Sequence, residues 1–227
     1  MMHAKPMLWG AALAIAVSST AALANVVVVK SLGPSSKAYP PGKTLPPNAK
    51  ITLQGGDVLT VLGPASAKTL RGPGNFDASS ISLASAAGQR GRFSALRATE
   101  VAHNPSIWDI DVTQSGKVCV ADASKLQLWR PDSSGAASVE IQSADGKSQK
   151  LTWAAGKATA AWPSALPVKT GAQYQVQWSE TGDKSSLDVV TVSAVPNDLP
   201  GTAQVLIENG CQNQLDLLVS SASKTGS

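Results

Sequence analysis

Two aspartates stand two apart in Ile107-Trp108-Asp109-Ile110-Asp111-Val112. On an extended strand that spacing puts both carboxylates on one face. Such a pair suits cation binding or glycoside hydrolysis, and it equally suits the wet face of an antiparallel strand. The other devices of catalysis are broken or isolated. Gly146-Lys147-Ser148 has Ile141 where a phosphate loop needs its first glycine, and Gly42-Lys43-Thr44 has Lys37 there. Gly72-Pro73-Gly74 has Asp77 at the third glycine position of a dinucleotide fingerprint, and Pro73 removes a donor. It reads as a strand terminator. There is no Gly-x-Ser-x-Gly elbow. Beyond the first residues the single histidine is His103, in Ala102-His103-Asn104-Pro105, so a Ser-His-Asp triad would have to use it. Ser221 and Lys224 have penicillin-binding spacing but lie in a polar tail. The reading is therefore a protein without a catalytic residue, cofactor or metal site.

Tryptophans offer the other chemistry. Past the amino-terminal segment these are Trp108, Trp129, Trp153, Trp162 and Trp178. Aromatic platforms bind sugars and peptides, and the same residues fill cores. Trp129, Trp153 and Trp162 are the candidates for a binding surface, with Trp153 and Trp162 as an expected cross-strand pair. Each stands in a strand pattern, so burial competes with binding at every one.

The elements that must position these residues begin with a leader. Lys5, the apolar run 7–17 and Ala22-Leu23-Ala24 form a secretory signal, with cleavage expected after Ala24 and Asn25 as the first mature residue. The apolar run is shorter than the ~20 residues that span a bilayer. No later stretch is apolar enough to cross one, and no lipobox cysteine stands near the cleavage site. The expected location is the periplasm. In such a compartment Cys119 and Cys211 predict one disulfide. The 227-residue chain carries a net charge of +4, scattered rather than clustered, which argues against a nucleic-acid partner.

The expected fold is mainly β. Residues 26–29 are an unbroken β-branched run and open a strand. A proline-rich loop follows to residue 47. Residues 51–54 and 58–62 alternate apolar and polar around Gly55-Gly56-Asp57, which predicts a hairpin. Residues 68–70 form a short third strand. Residues 77–106 read as a linker with a helix over 90–101 that displays Arg90, Arg92 and Arg97. Short strands then recur at 107–113, 117–121, 126–129, 138–142, 150–153, 158–162, 173–179 and 187–193. That spacing predicts an antiparallel, immunoglobulin-like sandwich over 107–195, with Asp145-Gly146 as a type I′ hairpin turn. Asn197-Asp198-Leu199-Pro200 opens a C-terminal helix over 196–220, Asn209-Gly210 splits it, and 221–227 is a tail. The units are thus a leader (1–24), a small β unit (25–76), the linker, the sandwich and the helix.

Gly42-Lys43-Thr44-Leu45, Gly56-Asp57-Val58-Leu59 and Lys68-Thr69-Leu70 lie in the order of a small extended repeat. Residues 42–74 thereby resemble the periplasmic domain of FecR-type regulators. The resemblance implies a role in envelope signalling, with an envelope membrane protein or sensor as partner. Thr69-Leu70-Arg71-Gly72-Pro73-Gly74, Leu128-Trp129-Arg130 and Asn209-Gly210-Cys211-Gln212-Asn213-Gln214-Leu215 resemble stretches of exported proteins of Gram-negative bacteria, and bring no activity with them. The expected function is a non-enzymatic adaptor or sensory accessory. The alternative is a module that binds glycan or peptidoglycan through exposed tryptophans.

Overall fold

Strand β1 (Val26–Leu32) is apolar at successive positions because it serves two cores at once. In the computed structural model, which describes residues 25–81 and 104–225, Val26 and Val28 enter one core, and Val27 and Val29 enter another. Side chains alternate along a strand, so two buried faces require an unbroken apolar run. The leader, the helix expected over 90–101 with its arginines, and His103 lie outside the described residues.

Around β1 stands a four-stranded antiparallel sheet in the order β2 (Thr44–Leu45), β1, β4 (Val58–Leu62), β5 (Ala67–Arg71). A second sheet pairs β3 (Lys50–Leu53) with β6 (Gly74–Asp77). The two enclose Val26, Val28, Ile51, Leu59, Val61 and Ile81. The hairpin expected at Gly55-Gly56-Asp57 is therefore not formed: its two strands belong to different sheets. Those residues turn a corner instead. Asp57 N–H donates to the Gln54 carbonyl at 3.1 Å. The buried Asp57 carboxylate accepts from Gln54 N–H at 2.6 Å and from Ser35 N–H at 2.9 Å. Hydrogen bonding from Ser35, the largest cause, holds this carboxyl below the ordinary range against the opposing effect of burial.

Gly72-Pro73-Gly74 does terminate a strand, since β5 ends at Arg71, but a further strand of the same unit follows. The cis Gly72–Pro73 peptide carries the chain from β5 into β6. Gly72 packs on the Gln54 carbonyl so closely that a Cβ there would collide with it. The stretch is a sheet corner, and glycine is required because backbone meets backbone.

The remaining strands form a sandwich. One sheet runs β11 (Ser148–Trp153), β10 (Ala137–Ser143), β13 (Gln173–Trp178), β14 (Lys184–Thr191), β8 (Gly116–Val120). The other runs β12 (Thr159–Ala161), β9 (Gln127–Trp129), β7 (Ile110–Asp111). Their inner faces share a core that includes Ile110, Leu128, Val139, Ile141, Trp153 and Val176. Two pairings, β14 with β8 and β7 with β9, are parallel. The strand expected over 107–113 shrinks to two residues. Asp109 N–H bonds back to the Ser106 carbonyl and Trp108 N–H to Ser106 Oγ, while the Asp111 carboxylate accepts from Thr113. These local bonds compete with the ladder at both ends. At Asp145-Gly146 only Gly146 has a positive φ, 85°, so the turn is not type I′, which needs two such residues.

Helices α1 (Leu199–Asn209) and α2 (Gln212–Thr225) fill the space between the four-stranded sheet and β8. The Asp198 carboxylate caps α1 by accepting from Gly201 N–H at 2.8 Å. Gly210, at φ 72°, ends it in the left-handed region. The tail expected from residue 221 is helical through Thr225, because Leu215, Leu218 and Ala222 continue one buried stripe. Cys211 sits in the break between the helices rather than within one. It is bonded to Cys119 on β8, with 5.8 Å between the Cα atoms.

Candidate functional site

The disulfide and one glutamine dock α2 on the exposed edge of β8. Cys119 N–H donates to Gln214 Oε1 at 2.6 Å, and Gln214 Nε2 donates to the Cys119 carbonyl at 2.9 Å and the Ile107 carbonyl at 2.7 Å. A side-chain amide thus pairs both main-chain groups of a strand residue as a neighbouring strand would. It closes an edge that would otherwise be open to association. Asn213 Nδ2 extends the seam by donating to the Ser115 carbonyl at 3.1 Å.

Beside this seam is a cavity of about 310 Å³, bounded by β7, β8, β9 and α2. Its floor is apolar, with Ile110, Val118, Trp129 and Leu217; its rim carries Asp109, Asp111, Gln114, Lys117 and Asn213. The two aspartates do line one place, but they are not equivalent. Asp111 is occupied: Oδ1 accepts from Thr113 N–H at 2.9 Å and Thr113 Oγ1 at 2.6 Å, and Oδ2 accepts from Gln114 Nε2 at 2.9 Å. Asp109 is half-buried, and no described residue donates to its carboxylate. Burial, uncompensated, pushes its pKa above the ordinary carboxylate value. Among the described residues, no three His, Cys, Asp or Glu side chains gather to hold a metal.

The candidate tryptophans are core residues. Trp129 is 5 %, Trp153 1 % and Trp162 8 % exposed. Trp129 still contributes an edge to the cavity. Trp153 does not pair with Trp162. It stacks on Trp178, with centroids 5.9 Å apart, and Trp162 meets Tyr174 edge-on at 4.9 Å. Trp162 Nε1 donates to the Leu166 carbonyl at 2.9 Å. A sugar platform needs solvent-facing rings, which these three do not present.

Sequence reasoning missed two buried polar residues. Arg130, 2 % exposed, donates to the carbonyls of Lys157, Gly135 and Ala154, and its guanidinium lies 5.6 Å from the Trp153 ring centroid. It ties the β9–β10 loop to the β11–β12 loop at one end of the sandwich, a use of the planar guanidinium that no local pattern announces. Gln214 did leave a signal. It falls between Cys211, Leu215 and Leu218 on the buried stripe, and a polar residue at a core position implies a buried partner.

Comparison of this chain with protein-family models, with curated proteins and with solved structures finds no match in any of the three.

Proposed function

We propose that this chain is an exported, non-catalytic adaptor of the periplasm that holds a segment of an envelope membrane protein in the cavity between the sandwich and α2. The observation that carries the reading is the makeup of that cavity: an apolar floor under a polar rim, with the Asp109 carboxylate left without a partner among the described residues. Ligand sites are mostly apolar concavities with a few converging polar groups. The walls are fixed by the Cys119–Cys211 bond and by Gln214, so the site is held ready rather than assembled on binding.

Three further features support it. The disulfide belongs to an oxidising compartment, and the leader at 1–24 has the features of an export signal. No described helix is long and apolar enough to cross a membrane. The resemblance of residues 42–74 to FecR-type periplasmic domains supports the signalling side. Of the two cavity carboxylates, Asp111 is already engaged by Thr113 and Gln114, which leaves Asp109 to meet a partner. A crosslinking pull-down with the mature protein as bait, read by mass spectrometry against its own envelope, tests the reading. Enrichment of one membrane sensor or transporter is expected. Recovery of cell-wall fragments alone would sink it.

A further inference from the structure

Several acceptors around the cavity receive no hydrogen bond from any described residue. Each amide that lines it already donates from its nitrogen inside the protein. Asn104 Nδ2 donates to the Asp109 carbonyl at 2.9 Å, Gln114 Nε2 to Asp111, Asn213 Nδ2 to Ser115, and Gln214 Nε2 to two carbonyls. These contacts fix which end of each amide is nitrogen. What Gln114 and Asn213 keep free of described partners is a carbonyl oxygen and the second N–H of each amide. Beside them stands the Asp109 carboxylate, which receives nothing from any described residue.

The lysine that lines the cavity forms no ion pair with Asp109. Lys117 lines the cavity, but its ammonium lies 3.8 Å from where a Cβ on Gly210 would stand, at the C-terminal end of α1. There the carbonyl end of the helix attracts a cation. No ion pair joins Lys117 to either aspartate. Among the described residues nothing offsets the desolvation of this half-buried carboxylate, and a bound cation would.

A small cavity with an apolar floor, free amide oxygens and a carboxylate that no described residue pairs fits a side chain with an aliphatic stem and a cationic, many-donor head. At about 310 Å³ the well is at the small end of ligand sites. It takes one side chain rather than a folded surface. The geometry points to Asp109 as the anchor for an arginine or lysine side chain presented by an extended segment of the partner protein. This rests on the reading of the cavity as the partner site and names what the partner must bring.

The test is a nitrogen-15 NMR titration of the mature protein with a capped Ala-Ala-Arg-Ala-Ala peptide. A second titration uses the same peptide with citrulline, which keeps the shape and loses the charge. The expected result is saturable shifts at the Trp129 indole and at the Gln114 and Asn213 amides. Citrulline should bind about tenfold or more weakly, the scale of one charge-assisted hydrogen bond. Asp109→Asn should lower arginine affinity by a similar factor. Equal binding of the two peptides, an unaffected Asp109→Asn protein, or no saturable shift at the cavity would overturn the assignment. The peptide comparison uses the unaltered protein, so it stands even if the variant folds poorly. A partner captured through a segment without arginine or lysine would refute this inference and leave the adaptor reading intact.

Discussion

Gln214→Ala removes the described side chain that pairs Cys119 on the outer edge of β8, and its cost follows from the groups left behind. Cys119 N–H, the Cys119 carbonyl and the Ile107 carbonyl all lose a partner. Cys119 is fully buried, whereas Ile107 is half-buried and its carbonyl can take water. An orphaned buried polar group costs about 1–3 kcal/mol. The two Cys119 groups therefore set the scale at about 2–6 kcal/mol. Gln214 borders the cavity, so water can enter its vacated place and soften the loss. The expected cost is about 3 kcal/mol, or about 6–12 °C in Tm for a chain of this size. Urea unfolding of the mature protein reads it as a lower midpoint at constant slope. Gln214→Glu sharpens the test. It keeps an acceptor for Cys119 N–H but turns a carboxylate oxygen onto two carbonyls. Facing acceptors and partly desolvated, the new carboxyl has a folded-state pKa raised above its unfolded value. Its penalty is then full at high pH and shrinks as pH falls through the raised pKa, where the protonated group can donate. A cost below about 1 kcal/mol for Gln214→Ala, or a pH-independent Gln214→Glu, would refute the reasoning. Either would mean that the apolar stripe and the disulfide alone dock α2.

Other outcomes follow from the same contacts. Replacing Cys119 and Cys211 by alanine opens a link spanning a sequence separation of 92. The chain-entropy relation puts the loss at about 4–5 kcal/mol, read in the same urea assay. Asp57 has its pKa lowered on folding, so its contribution is present above the unfolded value and lost as pH falls through the folded one. Asp57→Asn should flatten the fall of the urea midpoint below about pH 4, and superimposable acid limbs would contradict this. Gly72→Ala drives a methyl into the Gln54 carbonyl. Overpacking of this kind costs about 1–3 kcal/mol. Hydrogen exchange should quicken in β3 and β6 while β10 and β13 stay protected.

What the sequence made legible is what neighbours in the chain decide. Asp198 and Gly210 cap α1 where their types demanded it, the valine run is a strand, and the two cysteines are bonded. The pairing of β3 with β6 was not legible, because Gly55-Gly56-Asp57 looks like any glycine hairpin loop. Only the Asp57 bonds to Ser35, distant in the chain, redirect it. The same limit hid the parallel β14–β8 pair and the partners of Trp153 and Trp162. At the cavity Asp109 and Asp111 do stand together, although Asp109 lies outside the two-residue β7 and not on the shared strand face expected. Alternation carries no information on hydrogen bonds, so the difference between Asp111, engaged three times, and Asp109, to which no described residue donates, emerged only with the turn geometry of Thr113 and Gln114.

The most direct test of the account places a photo-crosslinking amino acid at Gln114 on the cavity rim, with a control at Gln149 on the far edge strand β11. Irradiation of intact envelopes should give a discrete adduct with one envelope protein from position 114 and none from position 149. Adducts of equal pattern from both positions, or only glycan from the rim, would contradict the claim that this cavity is where the protein meets its partner.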